Sequence, residues 1–124
     1  RIPASRGAGT RVELRCPDPA ANPYLVLAVC LEAGLDGIRN QITPPDAVTE
    51  NVFEMQLQQR AKLGIESLPG DLEQAVEELE KDDYIKNVLG GHITEKYLEA
   101  KRAEWADYRA QVTEWEIEKY LYKI

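Results

Sequence analysis

The N-terminal fifteen residues place several cationic side chains around one carboxylate. Four arginines lie between Arg1 and Arg15, and Glu13 is the single acidic residue among them. Of the chain's 15 Lys and Arg and 22 Asp and Glu, the other 109 residues hold 11 and 21, so the chain is acidic everywhere else. Closely spaced guanidiniums repel one another unless a negative group lies between them, so this segment is expected to bind an anion.

The residues from Arg11 to Arg15 alternate between polar and apolar, which is typical of a half-buried strand. Arg11, Glu13 and Arg15 would then share one face. The glycine-containing stretch 7–10 predicts a loop and residues 1–6 an extended segment before it, so we expect a β-hairpin. The alternative is a solvated hairpin in which Glu13 only pairs with the neighbouring arginines, because exposed ion pairs are common and contribute little.

A helix is predicted directly after this segment. Asn22 is a favourable N-cap, and Pro23 suits the first helical position. The helix should run to about Asn40, and it is apolar on nearly all sides apart from a polar stripe. A helix of this kind requires burial on most of its surface, so the chain is expected to pack within something larger.

Four more helical stretches follow from periodicity and capping signals. Residues 53–63 predict a short helix that Gly64 ends, and Asp71 with Gln74 predicts a capping box. A long helix is expected from about Ile93 to Gln111, after Gly90 and Gly91. Thr113 with Glu116 predicts a second capping box and a last short helix.

Composition restricts the function classes. At 124 residues the chain suits one modest domain, and its net charge of −7 argues against nucleic-acid binding, which depends on basic residues. The most apolar run, from Tyr24 to Leu31, is far shorter than the ~20 residues of a membrane-spanning helix. We therefore expect neither a nucleic-acid partner nor a membrane partner.

Several strings in the chain resemble the C-terminal part of bacterial type I glutamine synthetases. They are Arg1-Ile2-Pro3, Thr10-Arg11-Val12-Glu13-Leu14-Arg15, the stretch 17–24 and the stretch 33–38, followed by 64–69 and 111–116. The resemblance implies a mainly helical α+β fragment, roughly the last quarter of a synthetase subunit. Residues 1–15 would be active-site strands and loop of the catalytic domain. Residues 22–124 would be a region of about four to five helices that ends in an oligomerisation segment.

The resemblance also implies an activity and its partners. Glutamine synthetase is a cytoplasmic ligase that joins ammonia to glutamate, with ATP as co-substrate and Mg²⁺ or Mn²⁺ as cofactor. It acts as a homo-dodecamer of two hexameric rings, and the C-terminal segment inserts into a subunit of the facing ring. The remaining metal ligands and the ammonia-site aspartate would lie outside this chain, so the fragment alone is expected to be inactive.

Matched by motif, the family's functional residues fall on the N-terminal cluster. Glu13 corresponds to a metal ligand near the nucleotide phosphates, and Arg15 to the arginine that binds substrate glutamate. Arg1 and Arg11 correspond to arginines that contact ATP and stabilise the transferring phosphoryl group. Arg6 lies in the variable part of the loop and is placed with the ATP-binding arginines.

Two other interpretations remain open. The chain could be a non-catalytic helical interaction module, or part of a γ-glutamyl ligase that uses another amine.

The chain departs from the family at one regulatory position. Some family members are regulated by adenylylation of a tyrosine in an Asn-Leu-Tyr motif. Here the matching residues are Asn51-Val52-Phe53, and Phe53 has no hydroxyl to modify.

Overall fold

Helices and irregular segments make up the whole of the chain that the computed structural model describes, residues 2–123. The six α-helices among these residues are α1 (Pro23–Arg39), α2 (Leu57–Lys62), α3 (Leu72–Lys81), α4 (Asp83–Leu89), α5 (Gly91–Arg109) and α6 (Glu114–Glu116). A 3₁₀ turn spans Gly7–Gly9, and a π-helical turn continues α6 over Ile117–Leu121. The chain divides into two units, one running to Leu68 and the other beginning at Pro69.

The predicted N-terminal β-hairpin is wrong. No strand forms in the described part of the chain, and residues 10–16 run without repetitive structure after the 3₁₀ turn. The physical reason is lack of cover: Val12 is 76% and Leu14 58% exposed, so the apolar face of the expected strand packs on nothing. A two-stranded hairpin is at best marginally stable in water without a third strand or a helix against it.

Helix α1 begins where its capping signal predicted. The Asn22 side chain accepts hydrogen bonds from the backbone N–H groups of Tyr24 (2.9 Å) and Leu25 (3.3 Å). These bonds satisfy donors that the first helical turn leaves without partners. On the polar stripe, the Arg39 guanidinium pairs at 3.2 Å with the carboxylate of Glu32, which lies seven residues earlier in the helix.

Helix α2 is shorter than expected, because its start was predicted at residue 53. Asn51 instead closes a turn: its Oδ1 accepts from the Phe53 N–H at 3.2 Å, and its backbone carbonyl accepts from the Glu54 N–H at 3.1 Å. Asparagine often competes with helix in this way. Phe53 is 100% exposed on that turn, whereas Met55, two residues on, is buried.

The second unit is a three-helix arrangement in which α3, α4 and α5 contact one another. Asp71 caps α3 by accepting from the Gln74 N–H at 2.8 Å, and the Gln74 side chain accepts from the Gly70 N–H at 3.0 Å. Val76 of α3 and Thr94 of α5 are buried in this unit. Asp82 ends α3 and caps α4 through the Ile85 N–H, a break that the sequence analysis missed.

The capping box predicted at Thr113 is present. The Thr113 hydroxyl accepts from the Glu116 N–H at 3.2 Å, and the Thr113 N–H donates to Glu116 Oε2 at 2.8 Å. The aromatic side chains of the last turn remain on the surface, with Trp115 57%, Tyr120 63% and Tyr122 80% exposed. Trp115 and Tyr120 contact each other edge to face, with ring centroids 5.8 Å apart.

Much apolar surface stays accessible. One stripe of α1 is apolar and exposed, with Tyr24 82%, Leu27 69%, Leu31 64% and Ile38 75% exposed. This agrees with the expectation that α1 needs cover beyond that offered by the chain itself.

Among the described residues, no helix combines the length and hydrophobicity needed to cross a membrane.

Candidate active site

The cationic N-terminal segment is organised around Glu13. The Glu13 Oε1 atom accepts from Arg11 Nη2 at 2.7 Å and from Arg11 Nε at 3.0 Å. The other oxygen, Oε2, accepts from Arg15 Nη2 at 2.7 Å. The structure therefore brings the side chains of Arg11, Glu13 and Arg15 into contact, although the strand that was predicted to place them on one face does not form.

Exposure differs sharply within this cluster, which we call the Arg-Glu-Arg cluster (Arg11, Glu13 and Arg15). The Glu13 side chain is only 19% exposed, while Arg11 is 52% and Arg15 71% exposed. Both guanidiniums contact the carboxylate, and both arginine side chains remain more than half exposed. With two positive charges and one negative, the cluster keeps an excess positive charge that suits a phosphate or carboxylate ligand.

The pairing itself matches the simpler alternative of the sequence analysis, in which Glu13 pairs with its neighbours. Arginine–carboxylate contacts at this exposure contribute little to stability. The geometry therefore shows which side chains lie together. The roles of these side chains in a reaction are inferred from proteins to which the chain is similar.

Arg6 lies in the same segment but not in the cluster. Its Nη1 atom donates to the backbone carbonyls of Pro3 (2.8 Å) and Ser5 (3.0 Å). The sequence analysis missed both contacts and also missed the bond from Arg11 Nη1 to the Gly9 carbonyl at 3.1 Å. No residue type in the loop indicated them, because backbone carbonyls occur at every position. Arg1, the remaining arginine expected at the site, lies outside the described residues.

A divalent metal ion is implied by the resemblance, and the described residues do not by themselves make a site for it. Residues 2–123 contain no group of three or more His, Cys, Asp or Glu side chains placed to hold a metal. Mg²⁺ and Mn²⁺ prefer several oxygen ligands, and Glu13 supplies one carboxylate. Glu13 can therefore be at most one ligand of such a site.

The second unit has a groove of a different kind between α3 and α5. Its volume is about 280 Å³, and Glu73, Glu77, Arg102 and Trp105 are among its lining residues. Arg102 pairs with Glu80 across it. This ion pair links the two helices, and no expected site residue lies in the groove.

Comparison with known proteins places the chain in a family. Residues 1–120 match the family model of the glutamine synthetase catalytic domain. The chain is 54% identical over 123 residues to the glutamine synthetase of Clostridium saccharobutylicum, covering 99% of this chain and 28% of that protein. It is 53% identical over 122 residues to the glutamine synthetase of Thermotoga maritima, covering 98% of this chain and 28% of that protein.

A solved structure of a GmaS/ADP complex shares the fold. It superposes with a TM-score of 0.74 at 42% identity, over 87% of this chain and 24% of that one. The chain thus spans little more than a quarter of the length of the curated relatives it matches. From the family match over nearly all of its length, this chain belongs to the glutamine synthetase catalytic-domain family.

Proposed function

We propose that the chain forms part of the active site of a glutamine synthetase, which ligates ammonia to L-glutamate at the expense of ATP. The match of residues 1–120 to the catalytic-domain family carries this proposal. Identities above 50% to glutamine synthetases of two organisms support the same activity. Because the chain spans about a quarter of those proteins, the activity belongs to the longer protein, and the 124 residues alone are inactive.

The proposed reaction has two steps. An oxygen of the glutamate side-chain carboxylate attacks the γ-phosphorus of ATP, and ADP leaves. Ammonia then attacks the acyl carbon of γ-glutamyl phosphate, loses a proton, and phosphate departs. Both steps gather negative charge in a small volume, so catalysis depends mainly on cationic groups held in fixed positions.

The Arg-Glu-Arg cluster and the two arginines that precede it supply such groups. Arg11 and Arg1 contact the phosphates of ATP and stabilise the transferring phosphoryl group, and Arg6 adds positive charge to the same segment. Arg15 binds a carboxylate of the substrate glutamate. The positions of Arg11 and Arg15 on opposite oxygens of Glu13 support this division, since both side chains are more than half exposed and can reach a ligand. The GmaS structure is an ADP complex, which supports nucleotide binding by this fold.

Glu13 is proposed as one ligand of the catalytic Mg²⁺ or Mn²⁺. The other ligands, together with the ammonia site, would come from parts of the protein beyond the segment matched here. The same holds for the assembly: we place the chain in a cytoplasmic dodecamer of two hexameric rings, in which the C-terminal aromatic segment contacts the facing ring. The 57% exposure of Trp115 and 80% exposure of Tyr122 support an intersubunit role for that segment.

In the proposed enzyme, Phe53 is not a site of regulation by adenylylation. The residue is fully exposed, as a modified side chain would need to be, but a phenyl ring offers no oxygen for the bond to AMP. Control through a feedback inhibitor or a bound regulatory protein is the form of regulation that we propose instead.

The test is an assay of the full-length protein with glutamate, ATP, Mg²⁺ and either ammonia or a primary alkylamine. Glutamine formed from ammonia with release of ADP is the expected product. A preference for the alkylamine would identify a γ-glutamyl ligase for another amine. Absence of any ATP-dependent ligation would favour the non-catalytic interaction module.

A further inference from the structure

The loop that precedes the Arg-Glu-Arg cluster is closed by its own backbone. The 3₁₀ turn at Gly7–Gly9 is held by a bond from the Thr10 N–H to the Gly7 carbonyl at 3.1 Å, and the Gly9 N–H donates to the Arg6 carbonyl at 3.4 Å. Gly7 has a φ of +67°, a conformation that favours glycine. The turn therefore has a defined shape that can set the position of Arg11 directly after it.

Arg6 fastens the entry to this turn. Its Nη1 atom bridges the carbonyls of Pro3 and Ser5, and Pro3 is a buried residue of the N-terminal segment. The guanidinium is thus folded back onto the chain that precedes it. Bonds from a charged donor are stronger than neutral ones, and a planar guanidinium holds two acceptors in one geometry.

The last residue of the turn, Gly9, contacts Arg11. The Gly9 carbonyl accepts from Arg11 Nη1 at 3.1 Å, while Arg11 Nε and Nη2 reach Glu13. Gly9 also packs close to Ser5, since a Cβ at Gly9 would lie 3.1 Å from the Ser5 Cβ. Gly9, whose carbonyl accepts from Arg11, therefore packs against Ser5, whose carbonyl accepts from Arg6.

We propose that Arg6 is a positioning residue for Arg11, acting through the 3₁₀ turn and the Gly9 carbonyl and not by touching the nucleotide. Without the bridge from Arg6, the turn keeps its own backbone bonds but loses its anchor to the carbonyls of Pro3 and Ser5, so the Gly9 carbonyl is held less firmly against the preceding segment. The Arg11 guanidinium then keeps its contact with Glu13 but loses the third point that sets its orientation. This inference rests on the proposed function, because the ligand of Arg11 is taken to be ATP.

The experiment is a double-mutant cycle in the full-length protein. The variants Arg6→Ala, Arg11→Ala and the double variant are compared for kcat/KM with respect to ATP, for ATP affinity by calorimetry, and for the KM of glutamate. Lys62→Ala serves as the control, because it removes one positive charge from the same unit outside this segment. Melting temperatures confirm that Arg6→Ala, a change in an exposed loop, leaves the protein folded.

If Arg6 acts through Arg11, Arg6→Ala lowers kcat/KM for ATP roughly tenfold and leaves the KM of glutamate unchanged. The double variant is then no worse than Arg11→Ala alone. Losses that multiply in the double variant would overturn the inference and assign Arg6 a direct contact with ATP, leaving the proposed function intact. A wild-type protein without ATP-dependent ligation would overturn the proposed function together with the inference.

Discussion

Arg11 donates two hydrogen bonds, from Nε and Nη2, to a single oxygen of Glu13, while Arg15 takes the other oxygen. Such an arrangement fixes the plane of the carboxylate from both sides. It also brings the two guanidiniums to the same carboxylate, where they can bind two anionic ligands next to each other. In the proposed reaction those ligands are the phosphates of ATP and a carboxylate of glutamate.

Removing the Glu13 carboxylate should disable catalysis in the full-length protein. Glu13→Gln removes one metal-binding charge and one acceptor charge for both arginines, so we expect kcat to fall by roughly 10²–10³. Glu66→Gln, in an exposed part of the same unit, is the matched control and should retain activity. Near-normal activity of the Glu13 variant would remove this residue from the site.

Arg15→Ala should act on glutamate and not on ATP. A hydrogen-bonded charge pair is worth about 1.5–3 kcal/mol, so the KM of glutamate should rise by roughly 10- to 150-fold while that of ATP changes little. The comparison variant is Arg39→Ala on α1, which also loses an ion pair with a glutamate. Steady-state kinetics with each substrate varied in turn provide the measurement. An unchanged KM of glutamate in Arg15→Ala would refute the assignment.

The isolated 124-residue chain should self-associate through α1. The stripe formed by Tyr24, Leu27, Leu31 and Ile38 lies on one face of the helix and is more than half exposed throughout. Analytical ultracentrifugation should show oligomers, and Leu27→Gln with Leu31→Gln should shift the chain toward monomer with its helix content retained. A strictly monomeric wild-type chain would contradict the expectation.

The C-terminal aromatics should hold the assembly together. Aromatic anchors at interfaces cost ~2 kcal/mol or more on truncation, so deletion of residues 113–124 should separate the proposed rings while each subunit stays folded. Lys119→Ala, which removes only the cation lying 6.0 Å from the centre of the Trp115 ring, is the milder control. Light scattering gives the mass of each species. A deletion variant with the mass of the intact assembly would return these aromatics to a local role.

The capping box makes α6 sensitive to acid. The Thr113 backbone N–H, and then its hydroxyl, lower the pKa of Glu116 from its ordinary value of 4.5. A carboxyl whose pKa is lower in the folded state contributes stability above its unfolded value, and that stability is lost as the pH falls through the folded value. Helix α6 should therefore loosen below about pH 4.5.

Carboxyl NMR of the chain follows this titration directly. Thr113→Ala should raise the pKa of Glu116 only part of the way, since the backbone N–H, the larger cause, remains. A Glu116 pKa at or above 4.5 in the wild-type chain would contradict the capping argument.

Local signals in the sequence predicted much of the fold. Asn22, Asp71 and Thr113 each cap the helix expected of them, because an N-cap bond depends only on residues within one turn. Arg11 and Glu13 contact each other, but the strand face predicted to bring them together is absent. The strands failed to form, since strand formation depends on partners distant in the sequence, and here Val12 and Leu14 pack against none.

Competition among local signals explains the other differences. Asn51 closes a turn that delays α2 to Leu57, although the residues from 53 onward suit a helix. Asp82 ends α3 and caps α4 at a position where no break between helices was predicted. At the candidate site, side-chain types were predictable, but the carbonyls of Pro3, Ser5 and Gly9 as acceptors for arginine were not.

The most direct test of the central claim follows one oxygen atom through the reaction of the full-length protein. Glutamate labelled with ¹⁸O in its side-chain carboxylate is supplied with ATP, Mg²⁺ and ammonia, and the products are analysed by mass spectrometry. Formation of γ-glutamyl phosphate predicts glutamine together with inorganic phosphate that carries one ¹⁸O from the carboxylate. Phosphate without the label, or no glutamine formed at all, would contradict the proposed function.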